Sequence, residues 1–143
     1  MLTHFNMKTY KTQQFNIDRA KVKHHISTIR RLQSLLSEYN INEQPIRNIL
    51  QKALFFLCYI ADSNQHGSAQ KILSRDETTQ YIEIHNQLND IGYMTVLLCE
   101  LSTYWKIVID IFQHIPKPSV WHRIKLCILK YHTQQLGTFI SNF

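Results

Sequence analysis

Apolar side chains return at steps of three and four through most of this chain, the interval that stacks them on one face of an α-helix. Between Asp90 and His114 they fall at Ile91, Met94, Leu97, Leu98, Leu101, Tyr104, Trp105, Val108, Ile111 and Phe112. A helix of about 24 residues rises roughly 36 Å, enough to cross a small domain, so this stretch is expected to be the spine of the core. Val96, Ile107 and Ile109 widen its apolar arc, and the expectation is cover on more than one side.

The same period marks the other elements. Residues 1–15 are polar without a sustained period and are read as an extended or mobile arm, leaving residues 16–143 as one helical domain. A first helix starts near Asn16 or Asp18 and runs to Glu38 or Tyr39, with Val22, Ile26, Ile29, Leu32, Leu35 and Leu36 inward. Asn42 is a candidate cap for a second helix, with Pro45 in its first turn, where a missing N–H costs nothing. Its second half, Phe55 to Ala61, is apolar all round and should be the most enclosed segment after the spine. Asp62 to Gly67 has turn composition, and a short helix from Ser68 to Leu73 can follow.

Ser74 and Glu77 have the spacing of a capping box, and Asp76 and Glu77 suit the positive end of a helix. Length favours a break between that helix and the spine at Asn89–Gly92. Pro116 and Pro118 end the spine near His114. Ser119 caps a last helix carrying Trp121, Ile124, Ile128 and Tyr131 on one face, expected to reach Leu136 and end at Gly137, with Phe139, Ile140 and Phe143 docking the tail. The fold expected is all-α: a single-domain bundle of five or six helices, largely antiparallel, joined by short connections.

Composition supports this and narrows the class. Three Gly and three Pro in 143 residues are too few for an all-β fold built on tight turns, and 44% hydrophobic content supplies a core without disulfide or metal. Cys58, Cys99 and Cys127 are odd in number and lie in apolar helical runs, so buried reduced thiols are expected, which fits an intracellular protein. The N-terminal residues contain no apolar signal core, and the longest apolar run, Ala53 to Ala61, is too short to span a bilayer. A soluble, cytoplasmic protein is the expectation.

Charge is segregated along the chain. Residues 1–31 hold Lys8, Lys11, Arg19, Lys21, Lys23, Arg30 and Arg31 against Asp18 alone. Residues 32–110 hold five Lys/Arg against nine Asp/Glu, and the remainder holds Lys117, Arg123, Lys125 and Lys130 with no acid. Two basic ends flanking an acidic middle point to acidic or polyanionic partners. These eleven cations are the candidate contact residues.

Chemistry-bearing patterns are sparse. Eight histidines include one helical pair at metal-ligand spacing, Asp110 with His114, which reads as a helix-end capping pair rather than a metal site. His24 and His25 point about 100° apart and do not grip one ion together. There is no Gly-rich phosphate loop and no nucleophile elbow, so no cofactor, metal or catalytic residue is assigned. Arg19 and His24 match the Arg-x4–6-His pattern of the helical HEPN ribonucleases, but early in the chain and with Ala20 where a polar residue often follows the Arg. A remote ribonuclease reading rests on those two residues. The principal expectation is a non-enzymatic protein-interaction module, an adaptor, inhibitor or regulatory dimer, because wide apolar arcs leave surface for a partner. The alternative is nucleic-acid binding through a basic patch from residues 8–31 and 117–130.

Overall fold

A computed structural model describes residues 18–64 and 68–143 of the chain. Lys8, Lys11, the N-terminal arm and His66 lie outside the described residues. Among the described residues there are six α-helices, a short 3-10 turn and no strand, so the chain is an all-α bundle. The helices are α1 (Arg19–Glu38), α2 (Gln44–Asn64), α3 (Ser68–Ile72), α4 (Arg75–Leu88), α5 (Ile91–Asp110) and α6 (Val120–Ser141).

Local chemistry sets most of the boundaries. The Asp18 carboxylate accepts from the Ala20 N–H at 3.0 Å and starts α1. Its other end closes where Asn40 takes a φ of 54° and the Ile41 N–H returns to the Leu36 carbonyl at 2.8 Å. That six-to-one bond is a Schellman stop, and asparagine tolerates the left-handed residue it needs. The expected capping box of α4 is present in full: Glu77 N–H donates to Ser74 Oγ, and the Ser74 N–H donates to Glu77 Oε1. Asp90 breaks the chain between α4 and α5 and caps the latter through the Gly92 N–H.

The centre of the bundle is α2 rather than α5. Every residue from Ala53 to Ile60 is buried, and α2 packs against α1, α3, α4 and α5. The expectation that α5 is the spine is thus half right. Met94, Leu97, Leu101, Trp105 and Val108 form its inward line. Ile109 packs partly buried against the core, but Ile91, Tyr93, Val96, Tyr104 and Ile107 are exposed, so the wide apolar arc is covered only in part. Hydrophobic width alone cannot tell a covered flank from one left for a partner.

Three boundaries also differ from expectation. Helix α2 begins at Gln44, directly after Glu43, and continues through Asp62 to Asn64 instead of yielding to a loop at Asp62. Asp62 explains this: one carboxylate oxygen accepts from the Ala69 N–H and the other from the Tyr81 hydroxyl, so its apparent turn chemistry pins α3 and α4 to α2. The spine stops at His114 as expected, with its last turn, Ile111–His114, 3-10 rather than α. Helix α6 passes through Gly137 and absorbs the predicted tail up to Ser141.

Helix α6 runs antiparallel to α5. Trp105 Nε1 donates to the Thr133 carbonyl at 2.9 Å, and Ser141 donates to Ser102 nearer the start of α5. In that register the first turns of α6 extend past the end of α5. Among residues 120–128 only Leu126 is buried.

Candidate interaction surface

The first three turns of α6 invert the usual helix pattern. Leu126, Thr133, Leu136 and Ile140 face the bundle. On the opposite side, relative exposure is 67% for Val120, 63% for Trp121, 44% for Ile124, 50% for Ile128 and 57% for Tyr131. Trp121, Ile124, Ile128 and Tyr131 advance by three, four and three residues, so they form one row about 16 Å long, counted from Val120. They share a face as expected, but that face looks outward. Beyond Tyr131 the outer side turns polar with Gln134, Gln135 and Thr138.

Cations border this row. Arg123 and Lys125 project about 80° to either side of the inward line, and Lys125 Nζ stands 5.6 Å from the centre of the Trp121 ring. Lys117 is held just before the helix by the Phe112 and Ile115 carbonyls, at 3.1 and 3.5 Å. Cys127 lies at the row's edge and is exposed, as Cys99 is on α5; only Cys58 is buried, where burial pushes its thiol up to about 12. The expectation of three buried thiols therefore fails at two positions, because those apolar runs face outward in part.

The candidate contact cations divide into three groups. Arg30 is committed internally: its guanidinium grips the Glu77 carboxylate at 2.7 and 2.9 Å and donates to the Ile72 carbonyl, locking α1 to the start of α4. That hydrogen bond pulls the Glu77 carboxyl down to about 2. Lys21 and Arg31 line the side of α1 that meets α6, where His24 Nε2 lies 3.3 Å from His132 Nδ1. Arg19, Lys23, Lys117, Arg123, Lys125 and Lys130 complete the described set, and all but Lys130 are exposed. The basic segments at the two ends thus meet along α1 and α6, though the contact concerns Lys21, His24, Arg31 and His132 rather than all the cations named.

His24 and His25 diverge as the helix geometry requires. His24 turns out toward His132, whereas His25 is buried with its ring 4.7 Å from Phe139, and among the described residues no group is in hydrogen-bond range of either nitrogen. Burial, with the charges of His24, Lys21 and His132, pushes the His25 imidazole down to about 4. It lines a cavity of about 380 Å³ with Lys21, Gln135, Thr138 and Phe139. His114 is exposed in the 3-10 turn, and Asp110 makes no capping hydrogen bond there. Among the described residues no group of three or more His, Cys, Asp or Glu side chains can hold a metal, and no helix is long and apolar enough to cross a membrane.

Fold and surface together define an all-α bundle with one helix presenting an apolar row outward between cations. No family model, curated protein or solved structure matches the chain.

Proposed function

We propose that the chain is a non-enzymatic interaction module that docks a protein partner along the outer face of residues 120–131. The observation carrying this reading is the exposed row of Val120, Trp121, Ile124, Ile128 and Tyr131. Exposing so many large apolar groups on one helix disfavours a surface meant only for water, and patches of this size on monomers are often functional. Tryptophan and tyrosine at its two ends are the residue types that anchor interfaces. The 3-4-3 spacing suits a facing helix, and the absence of any acid after Asp110 selects an acidic partner surface.

The test is a titration with a labelled helical peptide bearing leucines at 3-4 spacing flanked by glutamates. Saturable binding is expected, reduced more than tenfold by Ile124→Lys/Ile128→Lys and unchanged by Thr138→Lys on the polar half of the same helix. Absence of binding, or equal loss in both variants, overturns the reading.

One observation favours a second reading, nucleic-acid binding: Lys21, His24, Arg31 and His132 gather where α1 meets α6. Labelled RNA and duplex DNA titrated at several salt concentrations test it. Affinity that falls steeply with salt and is lost in Lys21→Glu/Arg31→Glu would establish that surface as a polyanion site. Arg30 is a poor choice for such a variant because its removal strands Glu77.

A further inference from the structure

The chain carries a second exposed apolar row, on a segment whose net charge is opposite to that of the first. On α5 the relative exposure is 37% for Tyr93, 67% for Val96, 49% for Tyr104 and 36% for Ile107. These residues share one flank of the helix with Glu100, whose carboxylate pairs with Lys52 of α2 at 2.9 Å. The row is about 21 Å long, against about 16 Å for the row on α6. Residues 75–110, covering α4 and α5, contain Arg75 and Lys106 against Asp76, Glu77, Glu83, Asp90, Glu100 and Asp110; Glu77 and Glu100 are paired with Arg30 and Lys52, which leaves Asp76, Glu83, Asp90 and Asp110 against two cations, a net of −2. Residues 111–143 carry four cations and no acid.

The charges also match end for end. Asp90 caps the start of α5 just before Tyr93, and Asp110 closes it just after Ile107. Lys117 stands just before α6, Lys125 lies over the Trp121 ring at the start of its row, and Lys130 directly precedes Tyr131 at the end.

We propose, resting on the docking role of the α6 face, that its partner is a second copy of this chain, received on the Tyr93–Ile107 flank of α5. Pairing α6 with α6 would set Arg123, Lys125 and Lys130 against their own copies, whereas α6 on α5 sets cations against acids. The two rows of one chain cannot satisfy each other. Ser102 and Trp105 join α5 to α6 on one side of α5, and Glu100 joins it to α2 on the other, where the second row lies. The contact is therefore head-to-tail, and repetition builds a ring or an open chain rather than a closed two-fold dimer. Each face offers on the order of 500 Å² of apolar surface, so the pair lies near the lower limit for specific association and is weak and reversible.

The experiment is sedimentation velocity across micromolar to millimolar protein, with two variants whose folding is checked by circular dichroism. Ile124→Lys/Ile128→Lys removes the α6 face, and Val96→Lys/Tyr104→Lys removes the α5 face. The unaltered chain is expected to gain mass with concentration and to lose it with added salt. Each variant alone stays monomeric, and their equimolar mixture forms a heterodimer that grows no further, because each supplies the face the other lacks. A mixture that stays monomeric while the unaltered chain associates would show a two-fold contact and overturn the proposal. An unaltered chain that stays monomeric also overturns it. If the acidic peptide still binds in that case, only the identity of the partner is wrong; if the peptide fails as well, the docking face itself is refuted. Binding to phosphatidylserine vesicles without self-association would likewise overturn it, assigning the α6 row to a lipid surface.

Discussion

Gly137 sits flush against the indole of Trp105: a β-carbon at position 137 would stand 2.5 Å from Cδ1 and 2.9 Å from Nε1. The ring cannot retreat freely, because its N–H is committed to the Thr133 carbonyl and it is packed in the core. In an open helix Gly→Ala gains up to about 1 kcal/mol from propensity. Here overpacking opposes that gain, at a cost of about 1–3 kcal/mol. Gly137→Ala is therefore expected to lose on the order of 1–2 kcal/mol in urea unfolding, and a stabilised variant would show that α6 does not approach α5 this closely.

Thiol accessibility separates the faces of three helices in one measurement. Cys99 and Cys127 are exposed and Cys58 is buried. Ellman's reagent is expected to modify two thiols in the native protein and the third only on unfolding, since the buried thiol is held mostly protonated and reagent access is blocked. Three fast thiols would mean that the buried stretch of α2 is open.

Much of the architecture was readable because it depends on local chemistry. Asp18, Ser74 and Ser119 each act at a helix start as their side chains suggest, and Pro116 and Pro118 stop what precedes them. Orientation was not readable. Trp121, Ile124, Ile128 and Tyr131 repeat as faithfully as Met94, Leu97, Leu101 and Trp105, yet the first set faces out and the second in. Periodicity names a face without saying what covers it; that depends on where neighbouring helices end, and α5 ends before the first turns of α6. Gly137 misled for a related reason: glycine suits a helix stop, but here its missing side chain makes room for an indole. Arg30 likewise reads as a free surface cation until Glu77, 47 positions away, is placed beside it.

The two tryptophans should report this contrast directly. Trp105 is buried and Trp121 is 63% exposed. Acrylamide is expected to quench a red-shifted component of native emission that disappears in Trp121→Phe, leaving a blue-shifted, protected Trp105. Because Trp121 is largely exposed, with Lys125 over its ring, that variant should also shift stability by less than about 0.5 kcal/mol, the scale of a surface change. Trp105→Ala, by contrast, should lose about 3–5 kcal/mol. Equal losses at the two sites would refute the outward orientation of the α6 row.

Acid should destabilise the fold through His25. In the folded chain burial, reinforced by His24 and Lys21 on α1 and His132 on α6, holds this imidazole near 4, against an ordinary value of 6.5. Between those values the unfolded chain takes up the proton and the folded chain does not, so stability falls as pH drops from about 6.5 toward about 4 and is level above that window. His132 shifts in the same direction, chiefly through burial, and adds to the slope. Glu77 acts lower, between its ordinary 4.5 and about 2, where protonation loosens its grip on Arg30. Full loss at His25 amounts to about 3 kcal/mol at most. His25→Phe, placed against Phe139, is expected to flatten the dependence between about pH 6.5 and 4.5 in urea unfolding measured at several pH values. Identical slopes for the variant and the unaltered chain would show that His25 is not held neutral at the junction of α1 and α6.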